Sequence, residues 1–201
     1  MSQKIVFKQK YLPAQDDVKK VFQHANTEQE CLLVLFAYQN GLTPSDIAGL
    51  CVGRYPLEPW QPYAVIRPMN KKVWYSVSTP EIVQYMQAYL TVRGGAKGDP
   101  LFVNKKGAGL DGRAVSRIIS TIIKRANVGE WAGFSCRLLR DGFYDVLCEA
   151  GVCRFWRDAI IGYDTTVWHH WELAGVKAKK LDDLVIIMKN VYPFVELSKV
   201  V

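Results

Sequence analysis

Residues 27–47 read Thr27-Glu28-Gln29-Glu30-Cys31-Leu32-Leu33-Val34-Leu35-Phe36-Ala37-Tyr38-Gln39-Asn40-Gly41-Leu42-Thr43-Pro44-Ser45-Asp46-Ile47. Thr27 followed three positions later by Glu30 is a capping box. The apolar run over 31–36 predicts a buried helix, which Gly41 stops. Thr43 caps a second helix, with Pro44 at its first position and Asp46 near the positive end of its dipole. Downstream, residues 63–67 and 73–77 are strand-like, with 68–71 as a hairpin tip. In the second strand Val73, Tyr75 and Val77 fall on one face and Trp74, Ser76 and Ser78 on the other. Thr79-Pro80-Glu81 opens a helix running to about residue 93, ended by Gly94-Gly95, and 101–103 is a short extended piece. Asp111 caps an amphipathic helix over 112–126, with Val115, Ile118, Ile119, Ile122 and Ile123 on one side and Arg113, Arg117 and Lys124 on the other. Helices near 137–150, 154–161, 165–174 and 180–190 complete a mainly α chain with a small antiparallel β-sheet, an α+β architecture. Upstream, residues 1–25 carry few apolar positions and read as an arm or lead-in, leaving 26–201 as one domain with a C-terminal tail.

The chain has 201 residues, 49% of them hydrophobic and 22% charged, which excludes a disordered chain and suits a single core. No stretch approaches the roughly 18 consecutive apolar residues of a membrane helix, and the N-terminus has no apolar segment of a secretory signal. No membrane partner is expected. Five cysteines, with no CxxC pair, predict reduced thiols and a cytoplasmic or nucleoid-associated protein. The net charge is +7, and residues 103–140 hold eight cations (Lys105, Lys106, Arg113, Arg117, Lys124, Arg125, Arg137, Arg140) against two acids. Such concentration is what a phosphate backbone attracts, although a solvated helix face gives the same pattern.

Three stretches, in order, resemble the catalytic domain of the tyrosine recombinase (phage integrase) family. Residues 32–47 resemble its helix and Gly-Leu-Arg-x-Ser-Glu-Leu motif. Asp99-Pro100-Leu101-Phe102-Val103-Asn104-Lys105-Lys106-Gly107 and the 113–126 helix resemble its Leu-Phe…Gly segment. Arg137-Leu138-Leu139-Arg140, continuing to Val152, resembles His-x-Leu-Arg, and Ile161-Gly162-Tyr163 stands where the family has Leu-Gly-His. The resemblance implies a tyrosine that attacks a DNA phosphodiester, two arginines that hold the phosphate oxygens, a lysine that protonates the leaving oxygen, and two assisting positions. Carried over, the first arginine falls on Thr43 and the assisting histidine on Arg137. The second arginine is present as Arg140. Lys71 or Lys72 takes the hairpin lysine, with Arg67 a weaker candidate. The His/Trp position is Tyr163. The nucleophile falls in His169-His170-Trp171-Glu172, which has no tyrosine, so that Trp171 stands near its place. Tyr163 and Tyr192 are the displaced alternatives. The family clamps DNA with a separate preceding helical domain, and residues 1–25 leave that half of the clamp absent.

These departures point to a DNA-binding recombinase-fold protein that does not cleave, a regulatory or structural factor in DNA recombination or integration of mobile-element origin. The alternatives are an active recombinase with a relocated tyrosine and an interaction module that has lost DNA binding. The expected partners are double-stranded DNA and an active relative or a second copy of the chain. No cofactor or metal is implied: His169 and His170 are adjacent on a helix and point about 100° apart. Arg137 and Arg140, at i and i+3, form an anion-binding pair or are neutralised by Asp141. Trp168 and Trp171 are read as core. The apolar tail 191–197 predicts a docked segment, either on its own domain near Trp168 and Trp171, which is favoured, or in a neighbouring molecule.

Overall fold

The computed structural model describes residues 14–68, 70–128 and 135–197. Its centre is α2 (Glu28–Gln39), in which every residue from Cys31 to Gln39 is buried. A helix apolar on all sides must be surrounded, and α4 (Pro80–Arg93), α5 (Gly112–Ala126) and α6 (Cys136–Glu149) pack around it. The Thr27 hydroxyl accepts the Glu30 N–H at 3.2 Å. The Glu30 carboxylate reaches back one residue further than the capping box requires, to the Asn26 N–H at 2.8 Å. Gly41 lies in the left-handed region at φ 62°, and a Cβ there would stand 3.0 Å from Phe143 and Ile161, so the turn into α3 (Pro44–Ala48) is built for glycine.

Residues 1–13 of the expected lead-in lie outside the described residues; positions 14–25 are described. Within them Gln15–Gln23 form α1, which packs on α5 and buries Val18, Val21 and Phe22 completely. Three apolar residues spaced i, i+3, i+4 make a sufficient stripe even in a polar segment.

The sheet is one antiparallel hairpin, β1 (Pro62–Ile66) and β2 (Val73–Val77), in register Tyr63↔Ser76 and Val65↔Trp74. Trp74 and Ser76 face the core as one side of the strand; Val73 is exposed and Tyr75 half-buried, while Val77 is buried where the strand enters the domain. Behind β2 lie α7 (Arg154–Ile160), α8 (Thr166–Leu173) and α9 (Lys177–Val191), the last beginning three residues before its expected start.

The tail docks onto its own domain, but not near Trp168 and Trp171. After the 3-10 turn Tyr192–Phe194, Val195 and Leu197 are buried, and Tyr192 packs edge-on against Trp60 at 5.3 Å. The cause is polar. Gln39 and Glu81 are buried side chains that need partners: Gln39 Nε2 donates to the Val195 carbonyl at 3.0 Å and to the Glu81 carboxylate, which accepts the Leu197 N–H at 3.0 Å. Trp168 and Trp171 are instead covered by Trp156, with ring centroids 6.2 and 5.1 Å away.

Candidate nucleic-acid interface

The N-terminus of α3 and the first half of α6 border a cleft of about 400 Å³ that holds Thr43, Arg137, Arg140 and Tyr163. Thr43 is wholly engaged in its capping box: its hydroxyl accepts the Asp46 N–H and donates to the Asp46 carboxylate at 2.6 Å. Asp46 is 1% exposed, and a buried carboxylate needs a counter-ion. Arg67, just past the end of β1, supplies it, with Nε 3.4 Å from Oδ1. The same guanidinium lies 4.9 Å above the Trp74 ring and donates to the Gly162 carbonyl at 3.4 Å. Gly162 is fixed by this crowding: at φ 69°, a Cβ would stand 2.7 Å from the Trp74 ring.

Arg140 donates through Nη2 to the carbonyl of the preceding residue, Ile161, at 2.7 Å, and its guanidinium stacks 4.5 Å over the Tyr163 ring. Its Nε is buried with no acceptor among the described residues. Burial pushes the guanidinium pKa down, opposed by Tyr163 and Asp46 and reinforced by Arg67. Arg137 is exposed, 3.8 Å from Asp141. Ser135 is the N-cap of α6 yet makes no side-chain cap bond, and no acid stands in that first turn. The cleft therefore offers a guanidinium fork, hydroxyls and a helix N-terminus, the donor set of an anion site. The Cys136 thiol on its wall is pushed up to about 12 by burial, so it is no thiolate nucleophile.

The hairpin lysines do not join this group. Lys71 and Lys72 are exposed at the tip, and Lys72 lines a second cleft, of about 540 Å³, with Tyr75, His170 and Lys177. Lys177 is 4.8 Å over the Tyr75 ring and 3.1 Å from the Glu172 carboxylate. Trp171 belongs to the aromatic cluster with Trp156, Trp168 and Phe155. Tyr192 sits between Trp60 and Glu81, where burial pushes its phenol upward, and is not among the residues that line the Arg140 cleft.

The basic segment divides by exposure. Arg113, Arg117 and Lys124 are exposed along α5, and among the described residues none is paired with a carboxylate. Lys105 and Lys106 are exposed in the turn before it. Arg125 differs: it is half-buried and bonded to the Glu30 carboxylate at 2.5 Å, tying α5 to α2. Arg67, which the sequence placed behind the hairpin lysines, is the hairpin cation that the fold brings onto a buried carboxylate. Its partner lies 21 positions away, and an arginine beside a hairpin tip carries no signal of burial.

The fold is that of solved tyrosine recombinase and integrase structures. XerA recombinase superposes with a TM-score of 0.69 at 18% identity, over 81% of this chain and 57% of that one. The integrase from mycobacterium phage Brujita does so with 0.67 at 18% identity, over 92% and 60%. XerH recombinase bound to palindromic difH substrate gives 0.63 at 14% identity, over 97% and 53%. This chain thus spans little more than half the length of these proteins. No protein-family model matches it, and no curated protein is similar in sequence.

Proposed function

We propose that the protein binds duplex DNA through the α5 face and the adjoining Arg140 cleft without cutting it, and acts as a regulatory or structural factor in DNA recombination. The observation that carries this reading is the row Arg113, Arg117 and Lys124, exposed and free of carboxylates among the described residues, beside a cleft whose donors suit phosphate. Lys105 and Lys106 extend the same surface. The XerH structure, which holds a DNA substrate, supports a nucleic-acid partner for this fold.

The chemistry of the cleft supports binding rather than cleavage. Strand transfer requires an oxygen nucleophile in line with a phosphate held by preorganised cations. Thr43 carries no charge, Trp171 has no nucleophilic oxygen, and Tyr192 is packed against Trp60. The Arg140 guanidinium carbon stands 4.5 Å over the Tyr163 ring, so the phenol is engaged with the cation that would hold the phosphate. A DNA-bound factor of this kind pairs with an active recombinase relative or with a second copy of itself.

Two assays test the reading. Retention on duplex DNA should weaken steeply as salt rises, with little dependence on sequence. Supercoiled plasmid should stay supercoiled with the pure protein. Salt-independent retention, or relaxation that Tyr163→Phe or Tyr192→Phe abolishes, would overturn it.

A further inference from the structure

The Arg140 cleft has one feature that its own lining does not explain. Two buried carboxylates act on Arg140: Asp141, on the cleft wall, and Asp46, which Arg67 also reaches. Only Arg67 makes the ion pair with Asp46. Arg140 turns instead to the Ile161 carbonyl, keeps its Nε without an acceptor among the described residues, and lines the cleft. Arg67 also donates to Gly162, the residue after Arg140's own acceptor. The two guanidiniums thus hold successive carbonyls of one turn, with Asp46 already engaged on the Arg67 side.

We propose that Arg67 is a positioning residue: by neutralising Asp46 and fixing the 161–162 turn, it keeps the Arg140 guanidinium available to a phosphate group in the cleft. This rests on the reading of the cleft as a DNA-phosphate site. A guanidinium has five N–H donors, and the described residues give Arg140 one hydrogen-bond acceptor. Without Arg67, the unpaired Asp46 carboxylate becomes a stronger acceptor for Arg140 than the Ile161 carbonyl, because an unpaired buried charge is costly and a charged partner beats a carbonyl. Arg140 then turns inward and the cleft loses its cation. Arg67 need not touch the ligand for this, and it is not among the residues lining the cleft.

The experiment removes the cation and then the charge it balances. Inorganic phosphate is titrated against the whole chain by its rise in melting temperature, in wild type, Arg67→Ala, Asp46→Asn and the double variant, and retention on duplex DNA is measured beside it. Arg67→Ala should weaken phosphate binding by about tenfold or more, the scale of one charge-assisted contact. Adding Asp46→Asn should restore it, because the carboxylate that the loss of Arg67 leaves unpaired is then gone, while Asp141 stands as it does in wild type. A residue that merely stabilises the fold would give no such rescue. Asp46→Asn alone keeps the side-chain shape and should bind phosphate at least as well as wild type, which preserves the test if Arg67→Ala does not fold. Wild-type affinity in Arg67→Ala, failure of the double variant to recover, or loss of binding in Asp46→Asn alone would overturn the proposal. A wild type that ignores inorganic phosphate yet is retained on duplex would also overturn it, leaving DNA binding by α5 intact. A wild type retained on neither removes the underlying reading itself.

Discussion

The cations of the α5 face and those around Asp46 are alike in kind and opposite in setting. Arg113, Arg117 and Lys124 stand in solvent, where each attracts a phosphate weakly and salt screens it. Arg67 and Arg140 are largely withdrawn from water, held by named carbonyls, a carboxylate and two aromatic faces. The first group can change without disturbing the fold. The second is part of it, because a buried charge that loses its partner is left uncompensated. On the proposed reading, affinity for a polyanion and geometry at one phosphate would come from separate regions.

Several substitutions bear on that contrast. Gly162→Ala should strike hardest: the new Cβ would overlap Trp74 at a positive φ, costing about 4 kcal/mol from overpacking and left-handed strain together. A melting temperature within a degree of wild type would mean that the turn is not pinned as described. Asp46→Ala should follow at about 3 kcal/mol, since it removes the Asp46 half of the α3 capping box and leaves Arg67 without its counter-ion. Chemical denaturation would measure both.

On the exposed side, a triple Arg113/Arg117/Lys124→Ala variant should keep its stability to within about 0.5 kcal/mol. Its log-affinity versus log-salt plot for duplex should become shallower by roughly three units, one per lost phosphate contact. An unchanged slope would remove α5 from the interface. The smallest effect belongs to Asp164, which precedes the N-cap of α8. The Thr166 hydroxyl and N–H hold its carboxyl below the usual range. A carboxylate with a depressed folded pKa stabilises the fold above its unfolded pKa, near 4, and loses that contribution as pH falls through the folded value. Asp164→Ala should therefore cost a few tenths of a kcal/mol at pH 7, after screening by solvent, with the gap closing in acid. A gap that widens in acid would give the wrong sign.

Local signals made much of the fold legible. The Thr27, Thr43, Thr79 and Asp111 caps and the apolar spacing of α5 each involve residues within one or two helical turns. What escaped the sequence was made by distance. The apolar spacing of Val18, Val21 and Phe22 gains meaning only beside α5. The tail settled on Gln39 and Glu81 because their buried amide and carboxylate required backbone partners, and no pattern near residue 195 announces that. At the candidate site Arg140 stood out by its motif, and the hairpin lysines stood out by charge. Yet the fold puts Lys72 in a different cleft and leaves Arg67, from the same hairpin, on Asp46.

The central claim is that this recombinase fold holds DNA without breaking it. A nicked duplex of the kind that traps covalent intermediates tests it most directly, with the protein–DNA mixture run on native and denaturing gels. The account predicts a salt-sensitive shift on the native gel and no adduct on the denaturing one. A covalent adduct that disappears in Tyr163→Phe or Tyr192→Phe would contradict it.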